Sequence, residues 1–383
     1  MNRKLIEHIV QKFNTAFKTD PLVIYAPGRI NLIGEHTDYN EGFAIPAAIN
    51  KGIVAAIQKS KTTVCTVIAN DLDDTFQFSL ENIQPIKNGG WKNYVIGVAA
   101  EILNEGYSLQ PFNIVFGGDI PIGAGLSSSA ALENSVVFGL NSLFNLGIPK
   151  EKMIFISQKA EHNYAGVNCG IMDQYASMFG IENGALLLDC RSVESTEIPI
   201  NFNEYQLLLI NTNVKHSLGD SAYNNRRLVC EKVASMLRVD ALRDASEVDL
   251  QQIKTSLSTE DFQMALYVIQ ENKRVLQAAK AIKNKHTLEF GKLLFETHKG
   301  LQKQYKVSCT ELDFLVDKAK ENLRVIGARM LGGGFGGCTL NIIHKSEVEL
   351  FKTKISELYL ETFKKECSLY AVEFSKGTHV VHL

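Results

Sequence analysis

Residues 112–144, FNIVFGGDIPIGAGLSSSAALENSVVFGLNSLF, constrain the fold more than any other stretch of the chain. An apolar run rich in β-branched and aromatic residues ends in two glycines. A loop containing Gly123 and Gly125 follows, and a long helical pattern starts at three serines. The order is strand, Gly-rich loop, long helix. The loop glycines let the backbone turn tightly and approach a ligand closely. A helix start offers unpaired N–H groups and the positive end of a dipole, which suits a phosphate. A plain serine N-cap would need one serine. Ser127, Ser128 and Ser129 behind two glycines favour a phosphate loop, whose hydroxyls can add hydrogen bonds or ligate Mg²⁺.

This is none of the common nucleotide signatures. No GxxxxGK[ST] occurs in the chain. A dinucleotide fingerprint fails at its third glycine, where Ser128 stands, and no Asp follows until Asp173. The HRD and DFG signatures of protein kinases are absent.

Three further stretches carry polar or conformationally permissive residues at unusual density. PGRINLIGEHTDYNEG (27–42) follows a buried-looking strand, LVIYA, and gathers Arg29, Glu35, His36, Thr37 and Asp38. LGGGFGGCTL (331–340) places five glycines in six positions between two strands. That much glycine raises the entropy cost of folding, and close approach of main chain to a ligand is the return; a flexible hairpin is the bland alternative. NCGIMDQYASMFG (168–180) sets Asp173 at a helix start, where a carboxylate can be simply a dipole partner.

The chain has 383 residues, enough for two domains or one bilobal one. Hydrophobic residues make up 45% and charged residues 21%, as in an ordinary globular protein. A net charge of −2 argues against nucleic acid as a partner. No stretch is long and apolar enough for a membrane span. The N-terminal MNRKLIEHIVQKFNTAF reads as an amphipathic helix, not a secretory signal. Seven scattered Cys without a CxxC fit a reducing compartment, and a cytoplasmic monomer is expected.

Along the rest of the chain, 43–57 reads as two strands and 63–69 as another, and Trp91–Leu103 as a helix. KEKMIFISQKAEHNYAG is a helix whose Glu161, His162 and Tyr164 read as a solvated face. ALLLDC and YQLLLIN are strands, and 220–323 is mostly helical. A strand pair encloses the third Gly-rich stretch, a helix covers 346–363, and a last strand pair lies near 369–382. The mixture lacks strict βαβ alternation, so the expected class is α+β. Residues 1–200 are assigned to an N-terminal lobe and 201–383 to a C-terminal lobe.

Taken together, these stretches resemble the galactokinases of the GHMP small-molecule kinase family. PGRINLIGEHTDYNEG is similar to the galactokinase signature, PIGAGLSSSAALE to the family's ATP-binding motif and LGGGFGGC to its third motif, in the family's order. NCGIMDQ and SAYNNRR (221–227) match as well. The resemblance spans residue 20 to the C-terminus. It implies a bilobal fold with the site between lobes, and transfer of the γ-phosphoryl of MgATP to the C1 hydroxyl of α-D-galactose. It implies Asp173 beside the attacking hydroxyl and Arg29 stabilising the transferring group. Glu35, His36, Thr37, Asp38, Gly170 and Tyr223 would form the sugar pocket. Gly123, Ala124, Gly125, Leu126, Ser127, Ser128 and Ser129 would wrap the ATP phosphates, with Ser129 and Glu161 as Mg²⁺ ligands. Trp91 and the segment around Asn70 are candidates for the adenine pocket. A kinase acting on N-acetylgalactosamine or arabinose is the alternative. A sugar- and ATP-binding sensor without turnover is less favoured, because the serine-alanine part of the second motif is intact.

Overall fold

The computed structural model describes residues 2–121, 123–214 and 219–382. The elements in the first half are α1 (Arg3–Phe17), β1 (Leu22–Asn31), β2 (Phe43–Ala44), β3 (Pro46–Lys59), β4 (Cys65–Ala69) and β5 (Asp74–Phe78), followed by α2 (Trp91–Asn104), β6 (Phe112–Gly118), α3 (Ser128–Phe144), α4 (Lys150–Ala160), α5 (Met172–Phe179), β7 (Gly184–Asp189) and β8 (Glu194–Pro199). The second half adds β9 (Tyr205–Asn211), α6 (Gly219–Leu237), α7 (Glu247–Gln252), α8 (Thr259–Lys283), α9 (Thr287–Gly300), α10 (Thr310–Glu321), β10 (Val325–Met330), β11 (Cys338–His344), α11 (Val348–Phe363), β12 (Ser368–Val372) and β13 (His379–Val380).

The first sheet runs β13-β1-β3-β6-β4-β5, antiparallel except where β4 meets β6. Its strands alternate, and each face has its own cover. Val23, Tyr25, Val54, Ala56 and Val115 point to α1, which buries Ile6, Ile9 and Phe13 against them. Ala26, Ala55, Ile57, Ile114 and Phe116 point the other way, to α2, α3 and α4. The amphipathic N-terminal segment is thus a layer of the fold. Truncating its fully buried Phe13 to Ala would cost about 3–5 kcal/mol.

A second sheet, β10-β11-β9-β12, is covered on one face by α10 and α11 through Leu315, Phe351, Ile355 and Tyr359. Its other face packs with Val275, Phe290 and Leu294 of α8 and α9 in a core that also takes Ile30, Leu32, Ile45 and Ala47 from the first half. That shared core holds the two halves together. A small third sheet runs β2-β7-β8.

The structure revises several boundaries read from sequence. β1 does not stop at Ala26. It runs to Asn31 with a register shift between Pro27 and Arg29, so Arg29 is a strand residue, not a loop residue. Pro27 lacks an N–H, and the bulge absorbs it. Residues 46–59 form one long strand that runs on through Gly52, which pairs with Pro27. The last two strands do not pair with each other. β12 joins β9, and β13 returns to β1. The end of the chain therefore completes the sheet that holds β1.

Candidate active site

The phosphate-loop candidate lies between β6 and α3; its Ile122 is outside the described residues. Gly123 and Gly125 have φ of +69° and +71°, which glycine adopts without strain. Ala124 and Leu126 are buried in the shared core, so their side chains anchor the loop and only their main chain can meet a ligand. Ser127 is the N-cap of α3 with φ of +57°, yet its side chain makes no capping bond. Its hydroxyl donates instead to Asp173 Oδ2. The first-turn N–H groups of α3 are left without a side-chain acceptor among the described residues. Ser128 is exposed and Ser129 half-buried.

Arg29, buried on β1, reaches across to α5. Its Nε donates to Asp173 Oδ1 at 2.7 Å and its Nη2 to Oδ2 at 2.8 Å, while Nη1 donates to the carbonyl of Gly125 at 2.6 Å. The backbone N–H of Arg29 donates to Leu126 O at 3.1 Å. One arginine thus fixes both the phosphate loop and the carboxylate, and its planar fork suits the bidentate contact. Gly28 is required for this approach, because a Cβ there would lie 2.7 Å from Leu126 O.

The EHTD segment folds into a tight turn at the rim of the shared core. Glu35 is almost fully buried. Its Oε1 accepts from Arg329 Nη2 at 2.9 Å and from the Gly332 N–H at 2.8 Å, and its Oε2 accepts from Asn31 Nδ2 at 2.9 Å. Burial alone would raise its carboxyl, but Arg329, Arg29 and these hydrogen bonds hold it below the usual carboxylate range. His36 is packed among the rings of Tyr39, Tyr223 and Tyr305. Burial pushes its imidazole down to about 4, so it is neutral at pH 7. Burial and the nearby Asp173 push the Asp38 carboxyl up to about 7.

Thr37 departs from the expected sugar pocket. It is fully buried, and its hydroxyl lies 2.8 Å from Gly34 O and 2.7 Å from Phe43 O. It staples the turn from inside rather than facing a ligand. Gly170 also lies off the cavity wall. A Cβ there would lie 2.0 Å from Asp38 Oδ2, so its part is to leave room for that carboxylate.

Glu161 is not on a solvated face. Only 7% exposed, it begins the π-helical turn that follows α4, and its side chain meets Gln174 of α5 and Ser129 of α3. Gln174 Nε2 donates to Glu161 Oε2 at 2.8 Å and to Glu133 Oε2 at 3.2 Å. Burial first, and Asp173 second, raise the Glu161 carboxyl to about 7, against a hydrogen bond from Ser129.

These groups converge on one cavity of about 260 Å³. Arg29, Glu35, His36, Asp38, Glu161 and Asp173 line it, with Tyr223 and the main chain at Gly125 and Gly332–Gly336. Trp91 sits apart from it, packed on Phe76 and Phe116 with its N–H donating to Asp74.

The galactokinase galactose-binding signature matches residues 11–59, the GHMP kinases N terminal domain matches 93–181 and the GHMP kinases C terminal domain matches 278–360. The chain is 38% identical to the galactokinase of Clostridium tetani over 363 residues, covering 93% of each chain. It is 39% identical to that of Thermosipho africanus, covering 92% of this chain and 98% of that one. The chain belongs to the galactokinase family. Its fold superposes on Lactococcus lactis galactokinase complexed with galactose at a TM-score of 0.94, with 31% identity over 98% and 99% of the two chains. Methanococcus jannaschii mevalonate kinase shares the fold at a TM-score of 0.66 and 19% identity.

Three buried residues of this family member escaped the sequence reading. Arg329 is fully enclosed and donates to the carbonyls of Leu32, Met330 and Asn31 as well as to Glu35. Glu271 of α8 accepts from the Gly34 N–H at 3.0 Å, and Asn272 Oδ1 from the Phe43 N–H at 2.9 Å. They hold the EHTD turn from the far side. A charged residue inside the apolar run RVIGARM is the one local hint of such a role, since an arginine in a buried strand needs partners.

Proposed function

We propose that the protein transfers the γ-phosphoryl group of MgATP to the C1 hydroxyl of α-D-galactose, giving galactose 1-phosphate and ADP. The observation that carries this is the placing of Asp173. Its carboxylate is gripped by Arg29 and touched by Ser127 at the head of the phosphate-loop helix, and it faces the same cavity as Glu35, His36 and Asp38. Likeness to a galactokinase complexed with galactose supports the choice of sugar.

A carboxylate has about four lone-pair sites. On Asp173 three meet Arg29 and Ser127, which leaves one for an incoming hydroxyl. In this reading the C1 oxygen attacks the γ-phosphorus as the bond to the β-phosphate oxygen breaks. The hydroxyl proton passes to Asp173 late, once bonding to phosphorus has made the oxygen acidic. Arg29 offsets the negative charge on the transferring group. The free N–H groups of α3 and the main chain of Gly123–Ser129 hold the phosphates.

Mg²⁺ prefers hard oxygen ligands and is often bound by one or two protein groups plus substrate phosphates. The Ser129 hydroxyl and the Glu161 carboxylate fit that pattern, and Glu161 sits among acidic neighbours that a cation would relieve. When bound, the ion supplies charge neutralisation of the phosphates.

Asp38 and His36 recognise sugar hydroxyls. A pocket built to pair particular hydroxyls rejects an epimer, because the wrong one leaves buried polar groups unpaired. The test is ADP release from MgATP with galactose, N-acetylgalactosamine, glucose and arabinose. Turnover with galactose and little with glucose is expected. Turnover only with another sugar would move the assignment to that sugar. Sugar-dependent ATP binding without ADP release would replace the kinase by a sensor.

A further inference from the structure

A buried chain of hydrogen bonds leads from the cavity into the helical part of the second half. His36 Nδ1 lies 2.6 Å from Tyr39 Oη, Tyr39 Oη lies 2.8 Å from Tyr305 Oη, and Tyr305 Oη lies 3.3 Å from Cys230 Sγ. Tyr305 is fully buried and Cys230 nearly so. At the other end of the ring, His36 Nε2 is buried and makes no geometrically sound hydrogen bond to a described residue, although the Gly333 main chain acts on the ring. His36 lines the cavity; Tyr39, Tyr305 and Cys230 do not.

A neutral imidazole carries one proton, so the bond at Nδ1 decides what Nε2 can do. Each hydroxyl in the chain has one proton to give, so a chain in which each of them is spent on its neighbour runs in a single direction. A phenol is a stronger acid than a neutral imidazole N–H, and an imidazole nitrogen is a better acceptor than a phenol oxygen. The short contact is best made with Tyr39 O–H donating to Nδ1. Tyr305 then donates to Tyr39, and the Cys230 thiol to Tyr305. The bonds polarise one another along the chain. The proton of His36 is left on Nε2.

We propose that Tyr39, Tyr305 and Cys230 are positioning residues that lock His36 in the Nε2–H tautomer, so that it donates rather than accepts at the ligand cavity. The cavity also presents the carboxylates of Glu35, Asp38 and Asp173, which accept when ionised. A hydroxyl bound there can donate to a carboxylate while its oxygen accepts from His36, and a ligand without an oxygen at that point leaves the Nε2–H with only the Gly333 main chain. That the ligand is a sugar rests on the function proposed above; the tautomer does not.

The experiment is NMR of protein carrying ¹⁵N-histidine, without sugar, with the His36 signal identified by its loss in His36→Asn. The unmodified protein should show a single Nε2–H form. Tyr39→Phe removes only a hydroxyl and should give mixed tautomers. It should raise KM for galactose about fivefold, the worth of one hydrogen bond, with kcat and KM for ATP within about twofold. Cys230→Ser keeps a donor and should retain the tautomer, whereas Cys230→Ala should loosen it. An Nδ1–H imidazole in the unmodified protein overturns the proposal, as does a Tyr39→Phe protein with unchanged tautomer and KM. An intact Nε2–H signal in a protein that phosphorylates no sugar would sink the proposed function and leave this lock standing.

Discussion

Arg29 holds both carboxylate oxygens of Asp173, at 2.7 Å and 2.8 Å, from a strand 144 residues away in sequence. The pair lies where the Gly123–Ser129 loop meets the EHTD turn. Asp173→Ala should therefore abolish nearly all turnover while ATP affinity, read by calorimetry, stays within about threefold of the parent. A variant retaining more than about a tenth of kcat would remove Asp173 from the reaction.

Glu35 and Arg329 form an ion pair that is almost wholly out of water. Removing one partner strands the other charge, at a cost of about 3–5 kcal/mol. Arg329→Met should lower the urea midpoint accordingly. Adding Glu35→Gln should recover part of the loss, because the remaining carboxamide carries no charge. A double-variant loss equal to the sum of the Arg329→Met and Glu35→Gln losses would mean that the pair is not coupled.

Gly170→Ala should act on the sugar and not on ATP. The new methyl would lie 2.0 Å from Asp38 Oδ2, so the carboxylate must move. KM for galactose should rise at least about tenfold, since a site built for a hydroxyl is sensitive to misplacement. An unchanged KM would show that Asp38 does not touch the sugar.

Asp38 also gives the unliganded protein a pH dependence with a definite sign. Its carboxyl is raised to about 7 in the folded state, by burial first and Asp173 second, against about 4 in an unfolded chain. Between those values the folded state binds more protons, so stability falls as pH rises through the window. The slope from one such group is at most about 1.4 kcal/mol per pH unit. Glu161 titrates in the same range, so the informative quantity is the difference between the parent and Asp38→Asn. That variant should show a shallower decline in denaturant midpoint from pH 5 to 7.5; an identical slope would exclude Asp38 as a source.

Local sequence pattern was enough wherever the physics is local. Positive φ at Gly123 and Gly125, the start of α3 and the strand pair around LGGGFGGC follow from residues within a few positions of one another. So do the apolar alternation of the first sheet and the amphipathic α1, since period and composition are written along the chain. The resemblance of the three motifs to one family was legible for the same reason.

Tertiary structure decided the partners. Glu35 takes its charge partner from a residue 294 positions away, and nothing near EHTD announces Arg329. Thr37, polar and in the middle of the motif, turns inward because two main-chain carbonyls need its hydroxyl. Ser127 leaves its helix uncapped for a carboxylate on another helix, and Glu161 leaves an apparently solvated face once α3 and α5 pack over it. Burial and hydrogen-bond partners depend on which segments meet across the core. A single chain position carries no record of that meeting, so the sequence determined the residue types available for the chemistry and the packing determined which of them face the cavity.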